Sequence, residues 1–222
     1  MKQLLLLTAT FWLSLDLLAI SGKLDITNKQ GKRTGVCTDT VVFLEFEGDP
    51  NESPQSVSMS AKDRTFIPSI LPIRVGTTVE FPNQDTILHN VFSLSKTKKF
   101  DLGLYRKSEG KPVTFDQAGL VKVFCNIHAE MVGHILVLEN KYFARGLDDC
   151  TFSLPTPKDG TYKISVWYKK GRGSSQSIDV KNGKIVAVEG NSSSSLTLSI
   201  KHKRDRLRPH KNKSGKTYKK AY

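Results

Sequence analysis

The ten-residue stretch 124–133, Phe-Cys-Asn-Ile-His-Ala-Glu-Met-Val-Gly, constrains this chain more than any other part of its sequence. It presents a thiol at Cys125, an imidazole at His128 and a thioether at Met131, each three residues apart, between two apolar runs with strand character. A short loop between two strands turns such side chains toward one point. A second imidazole, His89, lies 36 residues upstream in another apolar and aromatic run.

These four side chains form a ligand set for one metal ion. Two imidazoles, one thiolate and a weak axial thioether are the ligands of blue copper sites, which transfer single electrons. Taken singly, each residue has a simpler explanation, since Cys and Met often fill apolar cores. Three donors within seven residues are hard to obtain from packing alone. The sequence therefore predicts one type 1 copper held by four residues: His89, Cys125, His128 and Met131.

The motif Cys125-x-x-His128-x-x-Met131, with the remote Leu88-His-Asn-Val91, resembles the cupredoxin family, and its short loop is most similar to amicyanin. Across about residues 63–140 the sequence is also similar to those of secreted plastocyanin-like proteins often labelled methylamine utilization proteins. The resemblance implies a Greek-key β-sandwich and outer-sphere electron transfer between a donor and an acceptor protein. It also implies that Asn90 supports the site, because in this family the amide after the first ligand bonds the Cys sulfur.

The segments on either side carry a second resemblance, to carboxypeptidase regulatory-like β-sandwiches. It rests on residues 25–44 and on 143–167, which includes Gly-Thr-Tyr-Lys-Ile-Ser-Val-Trp. The predicted organisation is a copper domain, residues 61–140, inserted between two parts of a second small β-sandwich, residues 22–60 and 141–200. A single cupredoxin with β extensions is the alternative.

Three cysteines fit an exported copper protein. If Cys125 binds metal, Cys37 and Cys150 remain, and an oxidising compartment would permit a disulfide. The sequence leaves open whether they pair. The insertion would place both of them in the second sandwich, which makes the bond more plausible.

The chain between residues 22 and 200 is predicted to be all-β. Short apolar runs alternate with turn signals such as Asn182-Gly183, a strong hairpin signal. No segment has the sustained 3.6-residue period of a long amphipathic helix. The histidine at position 134, on one of these runs, is predicted to be a surface strand residue and not a ligand.

The two ends of the chain have distinct compositions. Residues 1–21 combine a basic start, an apolar stretch and a small-x-small cleavage site before Gly22, which predicts an export signal. Asp16 interrupts the apolar run before it reaches the length of a spanning helix. We therefore expect a periplasmic or secreted protein with no transmembrane segment once the signal is removed.

The last 22 residues, 201–222, carry ten Lys or Arg against one Asp, a net +9 of the formal +13 for the chain. This tail is predicted to be disordered, because it lacks the apolar content to form a core. Basic tails attract anionic partners, here an acidic redox protein or an anionic envelope surface. Nucleic acid is disfavoured by compartment and by the lack of a reading motif.

These features favour an exported blue copper protein that carries single electrons. The alternative is a non-redox protein, which either handles copper or binds the cell envelope. An enzyme is disfavoured, because four protein ligands leave no open position at the metal for a substrate. The chain also has only five histidines, none in the His-x-His pairs of multicopper oxidases.

Overall fold

The computed structural model describes residues 19–46, 48, 53, 55–189, 195–203 and 211–216. In these ranges there is no α-helix and one short 3₁₀ turn at Cys37–Asp39, which confirms the predicted all-β fold class. In chain order the strands are β1 (Ala19–Thr27), β2 (Thr40–Glu45), β3 (Ser56–Ser58), β4 (Ser60–Lys62), β5 (Thr65–Ile67), β6 (Ile70–Arg74), β7 (Thr77–Glu80), β8 (His89–Leu94), β9 (Lys99–Tyr105), β10 (Pro112–Phe115), β11 (Gly119–Phe124), β12 (Val132–Leu138), β13 (Phe143–Arg145), β14 (Thr151–Pro155), β15 (Gly160–Tyr168), β16 (Gly171–Arg172), β17 (Ser175–Lys181), β18 (Lys184–Val188) and β19 (Thr197–His202).

Two sheets from the flanking parts of the chain form an outer sandwich. One sheet has the order β14-β1-β19-β16 and the other β13-β2-β15-β17-β18. β1 pairs antiparallel with β14 and parallel with β19, so a strand of the first flank lies between two strands of the second. The core between the sheets also draws on both flanks, and it includes Ile20, Leu24, Val42, Leu44, Phe152, Ile164 and Leu198. This is the second small β-sandwich that the sequence predicts.

The chain between these flanks forms an inner sandwich. A five-stranded sheet, β6-β12-β11-β8-β9, and a three-stranded sheet, β10-β7-β3, contribute to one core that contains Cys125 and Met131. β3 pairs in parallel with β7, and Met59 is fully buried in the same core. β3 and Met59, which precede the predicted boundary between residues 60 and 61, thus belong with the inner sandwich. The short, polar strand Ser56–Ser58 was too weak a signal to assign to this unit.

A third apolar cluster joins the two sandwiches. Val41 of β2 is buried there with Ile70, Leu136 and Leu138 of the inner sandwich. Successive side chains of a strand point to opposite faces. The continuous apolar runs of β2 and β12 therefore reflect burial on both faces, one in a sandwich core and one at this junction.

His134 lies on the junction face of β12, two residues before Leu136, and is only 6% exposed. Its ring packs against Trp167 of the outer sandwich, with ring centroids 5.7 Å apart. The prediction that His134 is a surface residue is wrong, because the outer sandwich covers the face that it occupies.

Covalent and hydrogen bonds fasten the outer sandwich around the insertion. Cys37 and Cys150, whose pairing the sequence left open, form a disulfide with Cα atoms 5.2 Å apart. The buried side-chain amide of Asn140 donates to the carbonyl oxygens of Leu44 at 3.0 Å and Phe46 at 2.8 Å. The chain therefore leaves the outer sandwich and returns to it at neighbouring points.

The ends of the described chain differ from the predicted boundaries. Residues 1–18 of the predicted export signal lie outside the described residues, but its last three residues open β1, where Ile20 is buried. β19 extends to His202, two residues into the predicted tail. Within the described ranges, no helix is long and apolar enough to cross a bilayer.

Part of the predicted tail is ordered. Residues 211–216 form a turn that is hydrogen-bonded to the inner sandwich, through Lys213 and Asn126. A specific pair of contacts places these six residues despite their lack of apolar side chains, while disorder of the tail as a whole stays a prediction. The other tail residues, 204–210 and 217–222, lie outside the described ranges.

Candidate metal centre

Two neighbouring strands bring the remote histidine to the cysteine. Cys125 directly follows β11, His89 opens β8, and these strands are antiparallel neighbours with Phe124 opposite Phe92. In an antiparallel pair the end of one strand lies beside the start of the other. The separation of 36 residues in sequence therefore becomes a contact in space.

The loop from Cys125 to Met131 is a tight connection between β11 and β12. The backbone N–H of Cys125 donates to the carbonyl oxygen of Met131 at 3.3 Å, and the N–H of Met131 donates to the carbonyl oxygen of His128 at 3.2 Å. These bonds fold His128 back toward the start of the loop, where its Nδ1 lies 3.6 Å from Cys125 Sγ.

Three donor atoms converge at this point. The Nδ1 of His89 lies 3.9 Å from Cys125 Sγ and 3.1 Å from the Nδ1 of His128. A point in their plane equidistant from all three atoms lies about 2.1 Å from each, close to the metal–nitrogen distance of about 2.0–2.1 Å and just below the metal–sulfur distance of about 2.3 Å in proteins. The spacing of the donors therefore fits one metal ion without rearrangement of the backbone.

The centre is largely shielded from water. The side chains of His89, Cys125 and Met131 are fully buried, while His128 is partly exposed. Met131 belongs to the same core cluster as Cys125, at the base of the ligand loop. Its role as the axial thioether remains a prediction.

Asp85 orients the first histidine. The Nε2 of His89 lies 2.7 Å from Asp85 Oδ2. An ionised carboxylate can only accept a hydrogen bond, so Nε2 carries the proton and Nδ1 keeps its lone pair for a metal. Carboxylate–histidine–metal arrangements of this type fix the tautomer and ring orientation of a ligand.

The charge of Asp85 is itself supported by the backbone. Burial alone would raise the pKa of Asp85, but the backbone N–H groups of Arg64 and Asp63 and the ring of His89 together hold this pKa below its ordinary value. The two N–H groups donate at 3.1 and 2.8 Å from a turn in which both residues have positive φ. Asp85 therefore stays ionised to a lower pH than an ordinary aspartate, and as an anion it accepts the hydrogen bond from His89 Nε2.

A buried asparagine holds the segment that carries Asp85. The Oδ1 of Asn83 accepts the backbone N–H of Asp85 at 3.0 Å, and its Nδ2 donates to the carbonyl oxygens of Ile87 and Tyr105 at 3.0 and 3.1 Å. Neither Asn83 nor Asp85 has a role that was predicted from the sequence. The available signal was the segment Phe-Pro-Asn-Gln-Asp four residues before His89, but polar residues of this kind are common in ordinary turns.

Asn90, the predicted supporting residue, is buried beside His89 and makes different side-chain contacts from the one inferred. Its Nδ2 donates to Asp101 Oδ1 at 2.7 Å and to the carbonyl oxygen of Gly103 at 2.9 Å. These bonds tie the start of β8 to β9. The contact between its amide and the Cys sulfur stays a prediction.

His128 faces the outside of the molecule. Burial, and then the neighbouring His89, lower the pKa of His128 from its ordinary value, which favours the neutral, metal-binding imidazole. Three exposed apolar side chains flank the two histidines in sequence, namely Ile87, Leu88 and Ile127, which are 37–44% exposed. The partly exposed His128 is thus preceded directly in the sequence by an exposed apolar side chain, Ile127.

The donor set selects a class of metal. One thiolate with two neutral imidazoles suits copper and zinc, and a neighbouring thioether shifts the preference toward copper. The residues present therefore fit a copper ion.

The similarity of this chain to known proteins extends over only part of its length. No family model matches the sequence, and no curated protein matches it either. Among solved structures, the chain is similar to a copper-containing nitrite reductase from Thermus scotoductus, with 30% identity over 37% of this chain and 22% of the reductase, at a TM-score of 0.36. The chain thus spans about a fifth of the length of that enzyme.

Two further solved structures are a purple cupredoxin from Nitrosopumilus maritimus and an amicyanin variant in its reduced state. The first has 25% identity over 36% of this chain and 98% of the cupredoxin, at a TM-score of 0.33. The second has 24% identity over 37% of this chain and 81% of the amicyanin, at a TM-score of 0.34. Cupredoxins, which the sequence resembles, are thus among the solved structures similar to this chain.

Proposed function

We propose that this chain is an exported carrier of single electrons, with one type 1 copper held by four residues, His89, Cys125, His128 and Met131. The observation that carries this proposal is the convergence of one cysteine sulfur and two imidazoles, within 3.9 Å of one another, where the 125–131 loop meets the start of β8. Bound there, copper would supply a Cu(I)/Cu(II) couple.

The protein's own residues determine what such a couple can do. Asp85 holds His89 in one tautomer, and the short loop holds His128 against Cys125, so the donors need little movement between oxidation states. Three buried ligands exclude water and leave no open position for a substrate. His128, the ligand nearest to solvent, gives the shortest route for an electron to or from a partner protein. These features support transfer over catalysis.

The proposed compartment has separate support. The disulfide between Cys37 and Cys150 persists in oxidising environments such as the periplasm or the exterior, and disulfides are rare in the cytosol. Electron donor and acceptor proteins are part of the proposal.

A visible absorption spectrum of the Cu(II)-loaded protein tests this function. We expect an intense thiolate-to-copper band at about 600 nm. Ascorbate should bleach this band, and Cys125→Ser should abolish it. Met59→Leu is a matched control for Met131→Leu, because both methionines are fully buried in the same core. Only the change at Met131 should shift the band. A colourless copper complex that Cys125→Ser leaves unaltered would contradict electron transfer and favour copper handling.

A further inference from the structure

The C-terminal turn, residues 211–216, contacts the flank of the metal centre at two points. The backbone N–H of Lys213 donates to Asn126 Oδ1 at 3.1 Å, and its Nζ donates to Asp101 Oδ2 at 2.7 Å. These contacts join positions 87 and 112 residues apart in sequence. A segment of the strongly basic tail is therefore placed on a specific part of the inner sandwich.

The turn is organised by its own hydrogen bonds. Asn212 Oδ1 accepts the backbone N–H groups of Ser214 and Lys216 at 3.0 and 2.9 Å. Two backbone bonds between Asn212 and the end of the turn close it further, and Gly215 supplies the positive φ of 75° that the turn requires. Such a turn presents Lys213 in a preformed geometry, which lowers the entropic cost of docking.

Both docking residues are next to proposed ligands. Asn126 directly follows Cys125 in the ligand loop. Asp101 Oδ1 accepts a hydrogen bond from the side chain of Asn90, which directly follows His89. Lys213 thus links the ligand loop to β9, and Asp101 of β9 in turn binds Asn90, the neighbour of the remote histidine.

The electrostatics of Asp101 agree with this arrangement. Burial alone would raise the pKa of Asp101, but the ammonium of Lys213, the backbone N–H of Gly103 and the amide of Asn90 hold it below its ordinary value. The carboxylate therefore stays charged. Its Oδ1 accepts a hydrogen bond from Asn90 while its Oδ2 accepts one from Lys213.

The docked turn can be released. The side chains of Lys213 and Asp101 are 42% and 40% exposed, and ion pairs with this exposure contribute little stability and are screened by salt. Because the turn belongs to the same chain, a high effective concentration keeps it bound when no competitor is present. A competing anionic surface would have to attract the basic tail more strongly than one carboxylate does.

We propose that the C-terminal turn is an intramolecular strap on the metal centre, with Lys213 as the positioning residue, and that an acidic protein surface displaces it. The strap stiffens the loop 125–131 while it is docked. Engagement of the tail by an acidic partner then loosens the ligand loop at the moment of contact. This inference deepens the proposed electron-transfer function, but the docking itself does not depend on copper.

Hydrogen exchange in the metal-free full-length protein tests the docking. At low salt we expect Lys213→Ala to speed exchange in residues 125–131 about two- to fivefold, the range that the loss of a surface ion pair produces. Lys213→Arg should restore protection. Lys216→Ala removes a charge from the same turn but neither docking contact, and should have no effect. Equal exchange in the wild type and in Lys213→Ala, or an equal effect of Lys216→Ala, would overturn the strap.

Competition gives a second measurement. About 0.5 M NaCl, which screens exposed pairs, or poly-L-glutamate should raise wild-type exchange to the level of Lys213→Ala and leave that variant unchanged. No response of the wild type to poly-L-glutamate would overturn displacement by acidic surfaces.

The copper-loaded form separates this inference from the proposed function. If the centre is blue, we expect its reduction potential to depend on salt in the wild type and much less in Lys213→Ala. A colourless copper form would contradict electron transfer, whereas the exchange result in the metal-free protein would still decide on the strap.

Discussion

At the scale of single residues, the metal centre depends on side chains that are not ligands. Asp85 is the clearest case, since it fixes the proton on His89 Nε2 and is in turn fixed by two backbone N–H groups. His89, a proposed ligand, therefore has one nitrogen free to bind a metal and one ring orientation before any metal binds.

We expect Asp85→Asn to lower copper affinity about 10- to 100-fold, the usual effect of removing an outer partner of a metal-bound histidine. The amide can take the place of the carboxylate but no longer imposes one tautomer on the ring. Competition with a coloured Cu(I) chelator measures the change. Asp116→Asn is the control, because Asp116 is an exposed carboxylate paired with Lys98. An affinity within about twofold of the wild type would show that the carboxylate does not orient the ligand.

His134 provides a pH dependence at the junction of the sandwiches. Burial, together with Lys169 and Lys122, lowers the pKa of His134 from 6.5 to about 4. Its Nδ1 is buried and makes no hydrogen bond within the described part of the chain. In the unfolded chain His134 is therefore protonated below pH 6.5, whereas in the folded chain it is protonated only below about pH 4.

A depressed histidine pKa means that stability is complete above pH 6.5 and falls as the pH decreases toward 4. The loss at that end is about 3 kcal/mol, at about 1.36 kcal/mol for each pKa unit. Denaturant unfolding at several pH values should show that His134→Leu removes this component. Parallel pH curves for the wild type and His134→Leu would contradict it.

The sequence predicted the grouping of His89, Cys125 and His128 better than it predicted the contacts around them. Cys125 and His128 lie in one short loop, so their type and spacing indicate a metal directly. The burial of His134 could not be predicted, because the partner face includes Trp167, which is distant in sequence. The roles of Asp85 and Lys213 also depend on single side-chain contacts, and acidic turns and basic tails resemble those of many other proteins.

At the scale of elements, β1 shows a similar limit to what can be predicted from the sequence. Turn signals and apolar runs indicated many short strands, but the start of β1 falls within the region assigned to the export signal. Ile20, only 1% exposed, lies in the core of the outer sandwich, and residues 19–21 pair with β14. Composition alone does not distinguish the end of an apolar signal from the start of a buried strand.

We therefore expect a chain that begins at Gly22 to be less stable than one that begins at Ala19. The loss should be about 1.5–3 kcal/mol, the contribution of one fully buried Ile side chain. Chemical denaturation of the two chains measures it. Ile20→Ala in the longer chain should reproduce most of the loss, and Ser21→Ala, at an exposed position of the same strand, should not. Equal midpoints for the two chains would mean that β1 starts later.

At the scale of the whole molecule, one disulfide encloses the inner sandwich. Cys37 and Cys150 are 113 residues apart, so the bond closes a loop that contains every proposed ligand. Closing a long loop reduces the entropy of the unfolded chain, which stabilises the folded state.

Cys37→Ala combined with Cys150→Ala should lower the free energy of unfolding by about 2–5 kcal/mol. The absorption of the copper-loaded form should not change, because neither residue touches the centre. Reduced wild-type protein is the matched comparison and should unfold with the same midpoint as the double variant. A double variant as stable as the oxidised wild type would exclude this contribution.

The same bond determines how the molecule would carry mechanical load. β1 and β19, near the two ends of the described chain, are parallel neighbours, and the covalent path between them runs from Cys37 to Cys150 through sulfur. A pull on these two strands would therefore pass through the outer sandwich and the disulfide. Residues 38–149, with the whole metal centre, would remain outside the path of tension.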